Sequence, residues 1–135
     1  MNWAPQNFRV ARPTDQLAAL EHFYVEGLGL QVRGRFAGHA GYDGLILDYG
    51  EAGVEIEFTS HVDGSPCPAP SEDNLLVFYL ENADAVEDVR QRMAAIGVAP
   101  VVPENPYWQD ISLTFADPDG WRVTLVDSQA LAKNS

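Results

Sequence analysis

The chain has 135 residues, 46% of them hydrophobic, which suits one compact domain that buries a core without disulfide or metal staples. A formal net charge of −12 with no visible basic patch excludes nucleic acid and anionic membrane as partners. The single cysteine, Cys67, excludes an internal disulfide and a zinc knuckle.

No basic segment is followed by an apolar run at either end, and no stretch approaches the ~20 apolar residues of a membrane span. A cytoplasmic protein is expected. Phe8 to Ala11 reads as a short strand, Pro13-Thr14-Asp15 as a helix start, and Leu17, Leu20, Tyr24 and Leu28 as the apolar stripe of that helix. Gly27 and Gly29 stop it. Three β-like runs follow, Leu30 to Phe36, Leu45 to Tyr49 and Val54 to Thr59. Between the first two lies the loop Gly38 to Gly44, which carries His39 and Tyr42; Asp43 there reads as a turn residue. Gly50-Glu51-Ala52-Gly53 supplies the tight reversal into the third run.

In that third run Glu55, Glu57, Thr59 and His61 fall on one face, while Val54, Ile56 and Phe58 make the other and should face the helix. A Pro-rich segment, 64–71, then reads as a linker. The second half opens with a strand, Leu75 to Leu80, and passes through Asn82 to a stripe of Val86, Val89, Met93 and Ile96 that ends at Gly97. Ala99 to Val102, Ile111 to Phe115 and Trp121 to Val126 complete it. The loop Asn105 to Asp110 holds the pair Tyr107-Trp108 in the place that His39 and Tyr42 occupy in the first half.

Both halves therefore read βαβββ, an α+β domain over about 1–130 with modules near 7–63 and 72–128 and a tail at 131–135. A ferredoxin-like arrangement is the main competitor. The run Phe115-Ala116-Asp117-Pro118-Asp119-Gly120-Trp121-Arg122-Val123-Thr124-Leu125-Val126 resembles the last hairpin of the glyoxalase / bleomycin-resistance / extradiol-dioxygenase superfamily, the vicinal oxygen chelate group. The duplicated βαβββ order is that group's fold, and the likeness extends from about Phe8 to Asp127.

The resemblance implies a curved sheet around a cleft, with metal ligands from the first and last strand of each half. Registering Phe23-Tyr24 on the aromatic pair of the family's first helix puts Arg9 at the first ligand position and Glu57 at the second. Leu75, or Asn74 after a slip of one residue, takes the third, and Thr124 replaces the closing glutamate. One carboxylate does not hold a transition metal, which needs about three protein ligands. No metal and no cofactor are therefore expected, and the Arg9–Glu57 pair is expected to fill the metal's volume.

Arg122 shares strand parity with Thr124 and is expected to face the cleft and attract an anionic group, the alternative being a surface arginine. His61 is either a base near neutral pH or a rim residue. His39, Tyr42, Tyr107 and Trp108 either clamp a flat ligand or pack at an interface. What the resemblance implies is a homodimer that binds an apolar or aromatic small molecule without metal, as the bleomycin-resistance proteins do. The alternative is a metal-independent lyase or isomerase with Glu57 as general base and Arg9 steadying charge. A third reading is an interaction domain with its cleft plugged by side chains.

Overall fold

In the computed structural model, which describes residues 3–50 and 53–134, the chain divides into two compact units, Met1–Val25 with Gly29–Cys67, and Glu26–Leu28 with Pro68–Ser135. Each is built from one sheet with helices packed on it. The first unit holds strands β1 (Phe8–Pro13), β2 (Gln31–His39), β3 (Tyr42–Asp48) and β4 (Val54–His61) in the order β1-β4-β3-β2. The β1–β4 pair is parallel, and β4, β3 and β2 run antiparallel in turn.

Helix α1 (Leu17–Glu21) passes directly into a π-helical segment, His22–Gly27, and Gly29, at φ 94°, ends it. The helix starts later than Pro13-Thr14-Asp15 suggested, for two local reasons. Pro13, which has no N–H to give, still closes β1 at a sheet edge, where a missing donor costs nothing. Thr14 Oγ1 then accepts from the Gln16 N–H at 2.9 Å, and Asp15 accepts from the N–H of Ser65, so neither caps α1.

Strand alternation in β4 separates two kinds of surface. Ile56 and Phe58 are buried with Leu45 and Leu47 of β3, and the ring of Tyr24 lies 5.0 Å from that of Phe58. Arg12, paired with Phe58 across β1 and β4, sets its guanidinium 4.9 Å from the same ring centroid. The helical segment thus covers one face and leaves the odd-numbered residues of β4 on the other.

The second unit pairs β5 (Leu75–Leu80), β7 (Arg122–Asp127) and β6 (Ser112–Ala116) in that order. Helix α2 (Ala83–Ala95) buries Val86, Val89 and Met93, and Asn82 caps it by accepting from the Ala85 N–H at 3.0 Å. The expected strand at Ala99–Val102 shrinks to one bridge, Val101 to Thr114. Pro100 and Pro103 flank that bridge and offer no N–H with which a ladder could continue. Beyond 130, where a tail was expected, helix α3 (Ser128–Asn134) continues the chain, with Asp127 Oδ1 accepting from the N–H groups of Gln129 and Ala130. Among the described residues no helix is long and apolar enough to cross a membrane. In the turn between β3 and β4, Glu51 and Ala52 lie outside the described residues.

Candidate functional site

The face of the first sheet opposite the helical segment holds five of the residues singled out in the sequence: Arg9, His39, Tyr42, Glu57 and His61. Its geometry follows from the register, rung by rung. The first rung brings Arg9 of β1 beside Glu55 of β4, and Asp48 of β3 follows on the same side. The second aligns Ala11, Glu57, Ile46 and Gly34. The third aligns Pro13, Thr59, Gly44 and Phe36, and the fourth His61, Tyr42 and His39.

The first rung is an ion-pair network centred on Glu55, a residue the sequence ranked below Glu57. Arg9 donates from Nε and Nη2 to Glu55 Oε1, at 3.1 and 2.8 Å, and Asn7 Nδ2 donates to the same oxygen at 2.9 Å. Arg33, which neither composition nor motif pointed to, brings its Nε to 3.0 Å from Glu55 Oε2 and its Nη1 to 3.3 Å from Asp48 Oδ2. The hydrogen bond from Asn7 and those from Arg9 hold the Glu55 carboxyl below the usual carboxylate range, against the opposing effect of burial. The Arg9 guanidinium is raised in turn, chiefly by its hydrogen bonds to Glu55.

Glu57 is held more loosely. Its Oε1 accepts from Arg9 Nη1 at 3.4 Å, and Oε2 has no hydrogen-bond partner among the described residues, although the side chain is only 16% exposed. Arg9 therefore stands beside both carboxylates but spends its better geometry on Glu55. The expected Arg9–Glu57 contact exists as the weaker arm of a three-residue arrangement.

At the far end, the expected loop from Gly38 to Gly44 is almost absent, because β2 and β3 run on to His39 and Tyr42 around a two-residue turn. Ala40 at φ 52° and Gly41 at φ 85° supply the positive φ angles that a tight hairpin demands. The Tyr42 ring meets His61 edge-on at 4.6 Å, and the rings of Phe36 and His39 are 6.2 Å apart. Asp63 N–H donates to His61 Nδ1 at 3.1 Å, so the neutral ring carries its proton on Nε2.

In the second unit, Tyr107 and Trp108 lie in a 3₁₀ turn, Pro106–Trp108, with rings edge to face at 4.9 Å. Asn105 caps that turn, accepting from the Tyr107 N–H at 3.0 Å. Tyr107 is exposed and Trp108 half-buried. Arg122 is buried and already engaged. Its Nη1 donates to the Val102 carbonyl at 2.9 Å and its Nη2 to Glu72. Thr124, fully buried, faces Thr114 with the two hydroxyl oxygens 3.0 Å apart.

These donors do not fit a divalent metal. In the first unit the implied ligand positions hold a guanidinium and one carboxylate; in the second they hold the aliphatic Leu75 and a hydroxyl bonded to another hydroxyl. Among the described residues no group of three His, Cys, Asp or Glu side chains could hold a metal ion.

Comparison with known proteins places this geometry in context. Residues 8–59 match the model of the YycE-like N-terminal domain, and residues 73–127 that of the YycE-like C-terminal domain. An uncharacterized protein YycE of Bacillus subtilis (strain 168) is 41% identical over 124 residues, 92% of this chain and 89% of that protein. The crystal structure of a YycE protein of unknown function from Bacillus subtilis superposes with a TM-score of 0.85 over 90% of this chain and 89% of that one. The trypanothione-dependent glyoxalase I of Leishmania major matches at a TM-score of 0.74 and 16% identity, covering 97% and 92% of the two chains. TnmS3, an antibiotic-binding protein from Streptomyces sp. CB03234, matches at 0.65 and 23% identity, covering 93% and 97%. At those two identities the likeness is one of fold, and that fold is the vicinal oxygen chelate fold.

Proposed function

We propose that this chain, which belongs to the YycE-like family, binds an apolar or aromatic small molecule on the open face of its first sheet without the help of a metal. One observation carries the reading. Glu57 is a half-buried carboxylate whose Oε2 has no partner among the described residues, set among Ala11, Ile46 and Gly34 and between a charged rung and an aromatic one. Solvent still reaches that oxygen, and a donor on a bound ligand would replace it with a charge-assisted hydrogen bond. The rings of Phe36, Tyr42 and His61 give the apolar body of such a ligand surfaces to lie against. The likeness in fold to an antibiotic-binding protein supports a binder by analogy.

The test is a thermal-shift screen of metals, antibiotics and common metabolites. A ligand at about 100 times its Kd raises stability by about 2.7 kcal/mol, which reads directly as a higher Tm. Protection by organic compounds but not by nickel, zinc or manganese is the expected result; stoichiometric, tight metal binding at Glu57 overturns it.

The free oxygen of Glu57 also favours a second reading, a metal-independent lyase or isomerase in which Glu57 takes a proton and Arg9 steadies the charge that develops. Glu57→Gln separates the two: loss of turnover with ligand affinity retained marks the enzyme, and absence of turnover with protection by ligand marks the binder. We further propose that the protein acts as a homodimer in the cytoplasm, a state that sedimentation of the purified protein tests.

A further inference from the structure

Gly34 stands in the interior of β2, where a glycine weakens a strand and contributes nothing to packing. Two ordinary reasons for a glycine fail here. Its φ lies outside the left-handed region, so an L side chain meets no backbone strain. No atom lies within 4 Å of the point where its β-carbon would stand, so no neighbour requires the gap either. Gly44, one rung away, makes the contrast, because a β-carbon there would fall 2.1 Å from the ring of Phe36. The space over Gly34 belongs to the same rung as Glu57, with Ile46 between them.

The polarity of that space follows from the charges around it. Arg9 and Arg33 are matched against three carboxylates, Asp48, Glu55 and Glu57, and the two guanidinium groups are already turned toward them. One negative charge is left over, and among the described residues Glu57 Oε2 is the one oxygen of the three carboxylates with no hydrogen-bond or ion-pair partner. A metal ion at such a place accepts lone pairs from a ligand. Here the protein presents them instead.

We infer that Gly34 is a specificity-determining position, kept free of a side chain so that the flat portion of a ligand lies over β2 while an N–H or O–H of that ligand donates to Glu57 Oε2. The inference rests on the small-molecule reading above and adds to it the ligand's class: a planar hydrogen-bond donor, neutral or cationic, and not a carboxylate or phosphate.

The test uses three planar probes of one shape, benzamidine, benzamide and benzoate, titrated into the labelled full chain while the amide resonances of Gly34, Ile46 and Gly44 are followed by NMR. Saturable shifts with benzamidine and benzamide, and at least tenfold weaker binding of benzoate, are expected. Gly34→Val suits a strand and should keep or raise Tm while weakening benzamidine at least tenfold; Gly34→Ala, a smaller intrusion, gives an intermediate loss and serves if the valine variant folds poorly. Glu57→Gln should cut the preference of benzamidine over benzoate. Equal binding of benzoate, or affinity indifferent to both Gly34 variants, overturns the inference while leaving the small-molecule reading in place. Absence of shifts from all three probes overturns the inference too, and only failure of the broad thermal-shift screen takes the wider reading with it.

Discussion

Arg9 and Glu55 meet through two hydrogen bonds onto one oxygen, Oε1, at 3.1 and 2.8 Å, whereas Arg9 and Glu57 share one at 3.4 Å. The difference divides the labour of two carboxylates only two residues apart. Glu55 holds the network together, and Glu57 keeps an oxygen, Oε2, with no partner among the described residues.

That division predicts an acid sensitivity. The Glu55 carboxyl has a folded-state pKa below its ordinary value of 4.5, through the hydrogen bonds of Asn7 and Arg9. As pH falls below about 4.5 the unfolded chain takes up the proton first, so the stabilisation is complete above that value and is lost as pH descends through the folded pKa. Glu55→Gln should be less stable than the parent at neutral pH and should lose less on acidification, so the two Tm curves converge toward low pH. Parallel curves between about pH 3 and pH 7 would place the acid response elsewhere.

Thr114 and Thr124 make a buried hydroxyl pair, 3.0 Å apart, on adjacent strands. Replacing Thr124 alone by Val leaves the Thr114 hydroxyl without its partner in a dry place, at a cost of about 1–3 kcal/mol. The double change Thr114→Val with Thr124→Val removes both polar groups and keeps the shape, so it should be closer to the parent than either single variant. Denaturant unfolding of the four proteins measures this. A double variant whose loss equals the sum of the singles would mean that the hydroxyls act independently. Thr124→Glu, which would restore the family's closing carboxylate, should destabilise, since Thr124 is fully buried and an unpaired charge there has no solvent.

How far the sequence reveals this site depends on which physical rule places each residue. Glu57 and Arg9 are legible because strand alternation is a strict period of two and a family register fixes its phase. Glu55 has the same parity and is just as visible, but only the side-chain geometry shows that Arg9 prefers it. Arg33 is hidden for a different reason. The β2–β3 pairing slips between Val32 and Gly34, and a bulge destroys the parity from which a face would be read. The fold was legible through its repeated element order, and the one strand it overstated, at Ala99–Val102, is where two prolines withhold the donors of a ladder. The loop carrying His39 and Tyr42 was misjudged because Ala40 adopts a positive φ, which its residue type does not announce.

Ala40 itself gives the next prediction. An alanine at φ 52° sets its β-carbon against its own backbone, at a cost of roughly 1–2 kcal/mol relative to the right-handed region. Asparagine tolerates that conformation better and, followed by Gly41, makes the Asn-Gly pair that tight hairpins favour. Ala40→Asn should raise stability by about 0.5–1 kcal/mol, read as a Tm increase of a few degrees, without altering ligand binding. An unchanged or lower Tm would show that the turn relaxes in solution to one that does not need the left-handed residue.

Gly44 and Phe36 test the shape of the site. The Phe36 ring lies flat enough on Gly44 that a β-carbon there would sit 2.1 Å from two of its ring carbons. Gly44→Ala must therefore push the ring outward, with the expected cost of overpacking, about 1–3 kcal/mol. Phe36→Ala removes the obstacle, so in that background Gly44→Ala should cost close to nothing, leaving a coupling energy nearly as large as the single-variant loss. The pair also has a functional readout. Phe36 borders the space over Gly34 and Glu57, so displacing its ring by Gly44→Ala should weaken a planar ligand severalfold even where the protein stays folded. Stability that is indifferent to Gly44→Ala, or additive losses in the double variant, would mean that the ring does not rest on this strand in solution and that the wall assigned to the site is not there.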